Sequence, residues 1–310
     1  NAQITRLDFG SDPTSIPSRV PITTTGLSSN PEDITIRNIN GLWYATVTTS
    51  NANPGNVITL MSFGVDLLNT SPDIQNLGNF GISINIRGVD YTWDGTNIIM
   101  VVPDNRRLRI INFRDSFNNE ILEEHITTTA ANVANHFIFD LTIYNKCDQW
   151  FVITPTLSRL NVVRFGTSLI NENPTSDKYL FANPIITLSA YEIKLIDEGD
   201  STYAVVNNQN EDYQLISLGD ITTDVPTLAS SISVEYISSN IHYYDGSYLI
   251  QGIEGINLKS AAYSGDCGQS INASSNAESV ISYSQEGVHQ ILLSQKEDNI
   301  LNFVYKAIEV

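Results

Sequence analysis

Short apolar runs alternate with polar, turn-rich stretches along the whole chain, and no stretch keeps a helical period. The runs recur in a fixed order. One apolar run meets a tight turn, a near-continuous apolar run follows, and a third run tends to end in Phe-Gly. The turns are Asn40-Gly41, Asp94-Gly95, Glu198-Gly199, Asp245-Gly246 and Glu286-Gly287, with a further one at Cys147-Asp148-Gln149 that lacks glycine. Asn-Gly and Asp-Gly are strong hairpin signals, because a type I′ turn needs positive φ at both central residues. The third run ends at Phe63-Gly64, Phe113, Phe165-Gly166, Leu218-Gly219, Tyr263 and Tyr305, and the same ending occurs early, at Phe9-Gly10. A period of roughly 40 to 55 residues built from short strands predicts a β-propeller.

With the four strands of a blade named A to D from axis to rim, the first full copy places A at Asp33–Ile36, B at Leu42–Val47, C at Val57–Phe63 and D near Asp73–Leu77. The A strands of later copies start near Asp90, Phe139, Glu192, Ile241 and Val280. The B strands are near-continuous apolar runs and are expected to be buried on both faces, whereas the C strands alternate more, as half-exposed strands do. Residues 116–134 read as a D strand and a loop. Six A–B hairpins are visible against seven C-type strands, the first of them at Ile4–Phe9. The spacing from Phe9 to Phe63 matches the internal one. The expected architecture is therefore an all-β propeller of four-stranded blades with seven repeats, the first incomplete. The alternative is six blades, with the N-terminal strand completing the last. Residues 1–310 are read as one propeller domain.

Charge narrows the partners. The chain carries 16 Lys and Arg against 34 Asp and Glu, a formal charge of −18. Such a surface repels a phosphate backbone and anionic lipid, so nucleic acid and membrane surfaces are not expected partners. No apolar run approaches the ~18 to 20 residues of a helical membrane span. Abundant Ser, Thr and Asn with scarce Lys fit a secreted protein. The start, Asn-Ala-Gln-Ile, has no basic and apolar leader, which suggests a processed chain or one cut from a longer one. Cys147 and Cys267 fall in non-adjacent blades, so two free thiols are expected rather than a bridge.

Two segments carry a family resemblance. Leu7-Asp-Phe-Gly10 is followed by a Pro- and Thr-rich stretch, and Phe63-Gly-Val-Asp-Leu-Leu-Asn-Thr-Ser-Pro72 by Asn76-Leu-Gly-Asn79. Val163-Arg-Phe-Gly-Thr-Ser-Leu-Ile-Asn171 is a weaker copy. These segments resemble the propeller repeats of secreted Bacteroidota surface proteins, including those associated with gliding motility and type IX secretion. The resemblance fades after about residue 220. It implies an exported, cell-surface or adhesin-associated module and brings no catalytic residue set. It also implies O-glycosylation at Asp-Ser/Thr-hydrophobic (or Thr) triplets, which would place glycans on Ser201 and, by a looser match, on Ser116. The other reading of both is a polar turn beside a strand.

No nucleophile elbow, P-loop or zinc motif occurs, and His125, His136, His242 and His289 are not spaced as ligands. One constellation stands out. Asp33, Asp90, Asp140 and Glu192 stand at or near the starts of four A strands, the strands that would line a propeller's axial channel. Converging carboxylates repel each other unless a cation sits between them, and hard oxygen ligands suit Ca²⁺. Alternatively each fixes the turn entering its strand by bonding backbone N–H groups. Trp93, Tyr243 and Tyr244, just before hairpin turns, could stack on sugars, while Trp43 and Trp150 read as inter-blade core. The leading expectation is a non-enzymatic cell-surface module for adhesion or scaffolding. Its partner would be a glycan or a surface protein, and an upstream segment or subunit could complete the first blade. The alternative is a carbohydrate-active enzyme, a glycoside hydrolase or lyase, using the acidic residues as its site.

Overall fold

A computed structural model of the chain describes residues 3–8, 18–25, 27, 31–49, 57–82, 86–156, 159–179, 190–197, 202–208, 213–221, 225–232, 238–244, 247–254, 257–263, 277–285, 288–295 and 303–306; beyond residue 227 the description is of strand backbone. In chain order the strands are β1 (Gln3–Asp8) and β2 (Ser18–Ile22), then β3 (Pro31–Ile39), β4 (Leu42–Thr49), β5 (Val57–Gly64) and β6 (Asp73–Gly78). There follow β7 (Asp90–Trp93), β8 (Ile98–Asp104), β9 (Arg107–Asn112) and β10 (Ile126–Thr128). Next come β11 (Thr142–Lys146), β12 (Gln149–Thr156), β13 (Arg159–Gly166) and β14 (Thr175–Tyr179), then β15 (Ala190–Asp197), β16 (Thr202–Asn208), β17 (Tyr213–Gly219) and β18 (Thr227–Ile232). The last are β19 (Ser238–Tyr244), β20 (Ser247–Glu254), β21 (Asn257–Tyr263), β22 (Ala277–Gln285), β23 (Val288–Gln295) and β24 (Phe303–Lys306).

These strands form four-stranded sheets, the blades of a β-propeller. The chain divides into two compact units, residues 1–78 with 235–310, and residues 79–234. In the second unit the sheets β7–β10, β11–β14 and β15–β18 are each made of consecutive strands, with β11 beside both β7 and β15. In the first unit β3–β6 form one sheet. A second has the order β2-β1-β23-β22. There β1 runs antiparallel to β23 with Ile4 opposite Ser294, so it completes the sheet of β22 and β23 rather than standing in an incomplete repeat of its own. The third sheet takes its fourth strand from β24, parallel to β21. Residues 303–306 thus fill a D position where the sequence suggested a C strand.

The burial pattern follows the pleat. In β12, Val152 faces a cluster with Ile99, Val101 and Ile143, while Phe151 and Ile153 face another with Ile193, Ala204 and Val206. Alternate residues of one strand therefore fill two cores, which is why the B strands read as unbroken apolar runs. The expected half-exposure of the C strands does not hold for β13. Its Val163 and Phe165 enter the first of these cores and Leu160 and Val162 the second. Trp43 and Trp150 are partly buried against their cores, as expected.

Two hairpins show the predicted turn conformation. Asn40 and Gly41 have φ of 52° and 82°, and Cys147 and Asp148 have 52° and 58°. At Asp94-Gly95 the loop is longer. The Asp94 carboxylate accepts the N–H groups of Thr96 and Asn97 at 2.8 and 2.7 Å, and its own N–H donates to the Asn97 carbonyl. The turns at Gly199, Gly246 and Gly287, and Phe9-Gly10, lie outside the described residues.

The Phe-Gly endings mark a repeated corner after the third strand. The residue after Phe is in the left-handed region at Gly64, Arg114 and Gly166. A buried Leu67, Phe117 or Leu169 follows four residues after the Phe. Two residues further on, the side-chain amide of Asn69, Asn119 or Asn171 donates back to the carbonyl of Phe63, Phe113 or Phe165. The chain reverses there without leaving that carbonyl unpaired.

Candidate carboxylate site

Asp90 opens β7 and is 2 % exposed. One oxygen accepts the N–H of Tyr91 at 2.9 Å, and the other accepts the N–H of Ile143 in β11, also at 2.9 Å. Asp140, two residues before β11, repeats the arrangement. Its oxygens accept the N–H groups of Leu141 and of Ile193 in β15, both at 2.8 Å. Each aspartate thus holds its own strand with one oxygen and the first strand of the next sheet with the other. Hydrogen bonds to a charged acceptor are stronger than neutral ones, and here they offset the cost of burying the charge.

Glu192 occupies the corresponding place in β15, buried, with its Oε1 at 3.5 Å from Lys194 Nζ. Asp33 lies in β3 opposite Thr48, half-buried, in the other compact unit. Asp90 and Asp140 are each joined to the next sheet through a backbone N–H group. Among the described residues no group of three or more His, Cys, Asp or Glu is gathered as a metal ion requires.

The approach of the chain to Asp140 is close. The Gly88 N–H donates to the Phe139 carbonyl at 2.7 Å, and the Arg87 guanidinium sits 5.3 Å from the centre of the Phe139 ring. A Cβ on Gly88 would lie 2.0 Å from an Asp140 oxygen and 2.7 Å from its Cα. Behind Asp140, the Thr154 hydroxyl donates to its carbonyl at 2.9 Å, and the Asn161 amide donates to the Thr154 carbonyl at 3.1 Å.

Arginines perform a second inter-sheet role that the sequence did not reveal. Arg164 in β13 donates to Asp177 at 2.8 Å and to the Ile221 carbonyl of the next sheet's corner at 2.6 Å. Burial lowers its pKa, but hydrogen bonds to Asp177 and Tyr179 outweigh this and raise it. In the other unit, buried Arg6 of β1 donates to the Leu67 carbonyl at 2.7 Å, again in the corner after a neighbouring sheet's third strand.

The other candidates are dispersed. Trp93 is half-buried at the end of β7, opposite Ile98. Tyr243 and Tyr244 lie in β19 opposite Tyr248 and Ser247; their side chains fall outside the described residues. Ser116 sits half-buried in the corner after β9, where its hydroxyl accepts the Asn118 N–H at 3.2 Å. Ser201 and Cys267 fall outside the described residues, and Cys147 is an exposed free thiol at a hairpin tip. Among the described residues no helix is long and apolar enough to cross a membrane.

No protein-family profile matches the chain, and no curated protein does. Solved structures do. The catalytic domain of the Coprinopsis cinerea GH62 α-L-arabinofuranosidase is similar over 89% of this chain and 94% of its own, with a TM-score of 0.56 and 11% identity. The Podospora anserina α-L-arabinofuranosidase in complex with cellotriose covers 87% and 92%, with a TM-score of 0.49 and 9% identity. A GH43_1 enzyme from Xanthomonas citri with xylotriose covers 73% and 82%, at 0.48 and 8%. The first of these establishes the fold.

That likeness corrects the expectation of a non-enzymatic surface module. The fold is one that a glycoside hydrolase uses as its catalytic domain. The missing linear motifs carried no weight against an enzyme, because acids contributed by separate sheets leave no contiguous signature.

Proposed function

We propose that the chain is a carbohydrate-active enzyme, a glycoside hydrolase acting on pentose-containing oligosaccharides. The observation that carries this reading is the set of buried carboxylates, Asp90, Asp140 and Glu192, at or just before the starts of three successive first strands of a glycosidase-like propeller. Glycoside hydrolysis commonly needs two carboxyl groups flanking the scissile bond, one to handle the leaving-group proton and one to act as base or nucleophile. Asp90 and Asp140 each accept two backbone N–H groups, one from their own strand and one from the next sheet. Glu192 lies 3.5 Å from the Lys194 ammonium and is the residue to test, because replacing Asp90 or Asp140 would break bonds between sheets and mix stability with activity. Calcium belongs to the same proposal, since carboxylate oxygens suit hard cations. So does secretion, which the acidic, Lys-poor composition and the resemblance to exported Bacteroidota repeats support.

The test is turnover of aryl α-L-arabinofuranosides, aryl β-xylosides and arabinoxylan oligosaccharides, with calcium and with chelator, by the wild type and by Glu192→Gln. Turnover by the wild type that falls by about two orders of magnitude or more in the variant, with unchanged melting, supports the reading. A correctly folded wild type that cleaves none of these substrates in either condition overturns it.

A further inference from the structure

We propose that the turn between β8 and β9 is a binding subsite for uronic-acid residues. Arg106 and Arg107 stand exposed there, next to Asn105 in the left-handed region at φ 64°. The nearest acid in sequence, Asp104, is occupied by Arg109 at 2.7 Å. Neither Arg106 nor Arg107 makes an ion pair among the described residues. In a chain of net charge −18, this is an outward-facing cationic point.

The turn is not a loose tip. The Arg106 carbonyl accepts the N–H groups of Val133 and Ala134 at 2.9 and 3.2 Å, and the Asn105 carbonyl accepts that of Ile138 at 2.9 Å. Val133, Ala134 and Ile138 are buried, so residues 133–138 are anchored along the turn. The same segment leaves His136 exposed and the Phe137 ring 48 % exposed. Two guanidinium forks, an imidazole and an apolar ring are therefore carried on adjoining, hydrogen-bonded backbone.

That set matches an acidic sugar. Guanidinium groups bind carboxylates in bidentate fashion, and an aromatic ring offers an apolar face to the C–H side of a pyranose. A short acidic oligosaccharide samples the local field within about 8–10 Å, whereas a long phosphate polyanion meets the repulsion of the whole chain. This subsite rests on reading the chain as carbohydrate-active, and it extends that reading to charged side groups or chains.

The test is calorimetric titration of the full chain with trigalacturonate and with its neutral methyl ester, at low and high salt. The same titrations on Arg106→Gln/Arg107→Gln and on Phe137→Ser follow. We expect the acid to bind, the ester to bind about tenfold more weakly or not at all, and high salt to weaken the acid alone. The double arginine variant should lose the acid by about tenfold or more with unchanged melting. Absence of binding, equal binding of acid and ester, or an unaffected double variant each overturns the proposal. So does tighter binding of single-stranded DNA than of the uronate. Turnover of neutral pentosides is measured in parallel and should be unchanged in the arginine variant, so loss of the subsite and loss of the glycosidase reading give different results.

Discussion

The Asp90 carboxylate accepts the backbone N–H of Ile143 across the boundary between two sheets, at 2.9 Å and 53 positions along the chain. Asp140 does the same for Ile193 at 2.8 Å, again 53 positions away. The two bonds are successive copies of one device. Replacing either aspartate by Ala leaves two buried N–H donors without acceptors, at about 1–3 kcal/mol each. We expect Asp90→Ala and Asp140→Ala to lose about 2–4 kcal/mol in urea unfolding, with the Asn variants intermediate because one amide oxygen still accepts. A loss below about 0.5 kcal/mol in both Ala variants would show that water replaces the carboxylates without penalty.

Gly88 should tolerate no side chain. A methyl group there meets Asp140 at its backbone Cα, which cannot turn aside as a long side chain would. Gly88→Ala is expected to destabilise by about 1–3 kcal/mol, read as a fall in thermal midpoint. Asp140→Ala removes the carboxyl oxygen that the methyl group would meet at 2.0 Å but keeps the Cα at 2.7 Å, so Gly88→Ala should still destabilise in that background, by less than in the wild type. Simple additivity would refute the coupling.

The corner asparagines make an independent prediction. Asn119→Leu and Asn171→Leu each remove the donor to a Phe carbonyl at 2.8 or 2.9 Å. Each should cost about 1–2 kcal/mol in chemical denaturation. If neither variant differs from wild type, the corner is held by the packing of Phe117 and Leu169 and by its backbone hydrogen bonds.

The hairpin at Cys147-Asp148 places two L-residues in the left-handed region, a conformation that costs non-glycine residues about 1–2 kcal/mol. Cys147→Asn with Asp148→Gly supplies the preferred type I′ pair. A gain of about 1 kcal/mol is expected, measured as a raised unfolding midpoint. A drop in stability would mean that the exposed thiol or carboxylate has a role beyond the turn.

Much of the fold could be read from local chemistry. Asn40-Gly41 has one turn solution, and the Cys147-Asp148 hairpin emerged from its place between two apolar runs. The apolar run at residues 150–153 in β12 is unbroken because its alternate residues fill two cores. The candidate site was legible only in part. An acid at the start of a first strand is visible in a sequence, but Asp90 and Ile143 are joined only once two sheets stack. Asp90 and Asp140 bond backbone N–H groups, and one of those groups in each case belongs to the next sheet, which no single strand's sequence reveals. Arg6 and Arg164 were invisible for the same reason, since a carbonyl acceptor carries no residue identity.

The pairing of β1 with β23 sets a condition on synthesis. Ile4 and Leu7 are 1 % exposed once β1 lies between β2 and β23. Until residues 288–295 leave the ribosome, that strand has no inner neighbour, and an unpaired strand is a template for another chain. Its sheet joins segments about 290 residues apart, the widest separation among the described strand pairings, so it should form late. The early strand is therefore where a nascent or thermally opened chain is most open to aggregation, and where a chaperone would be needed longest.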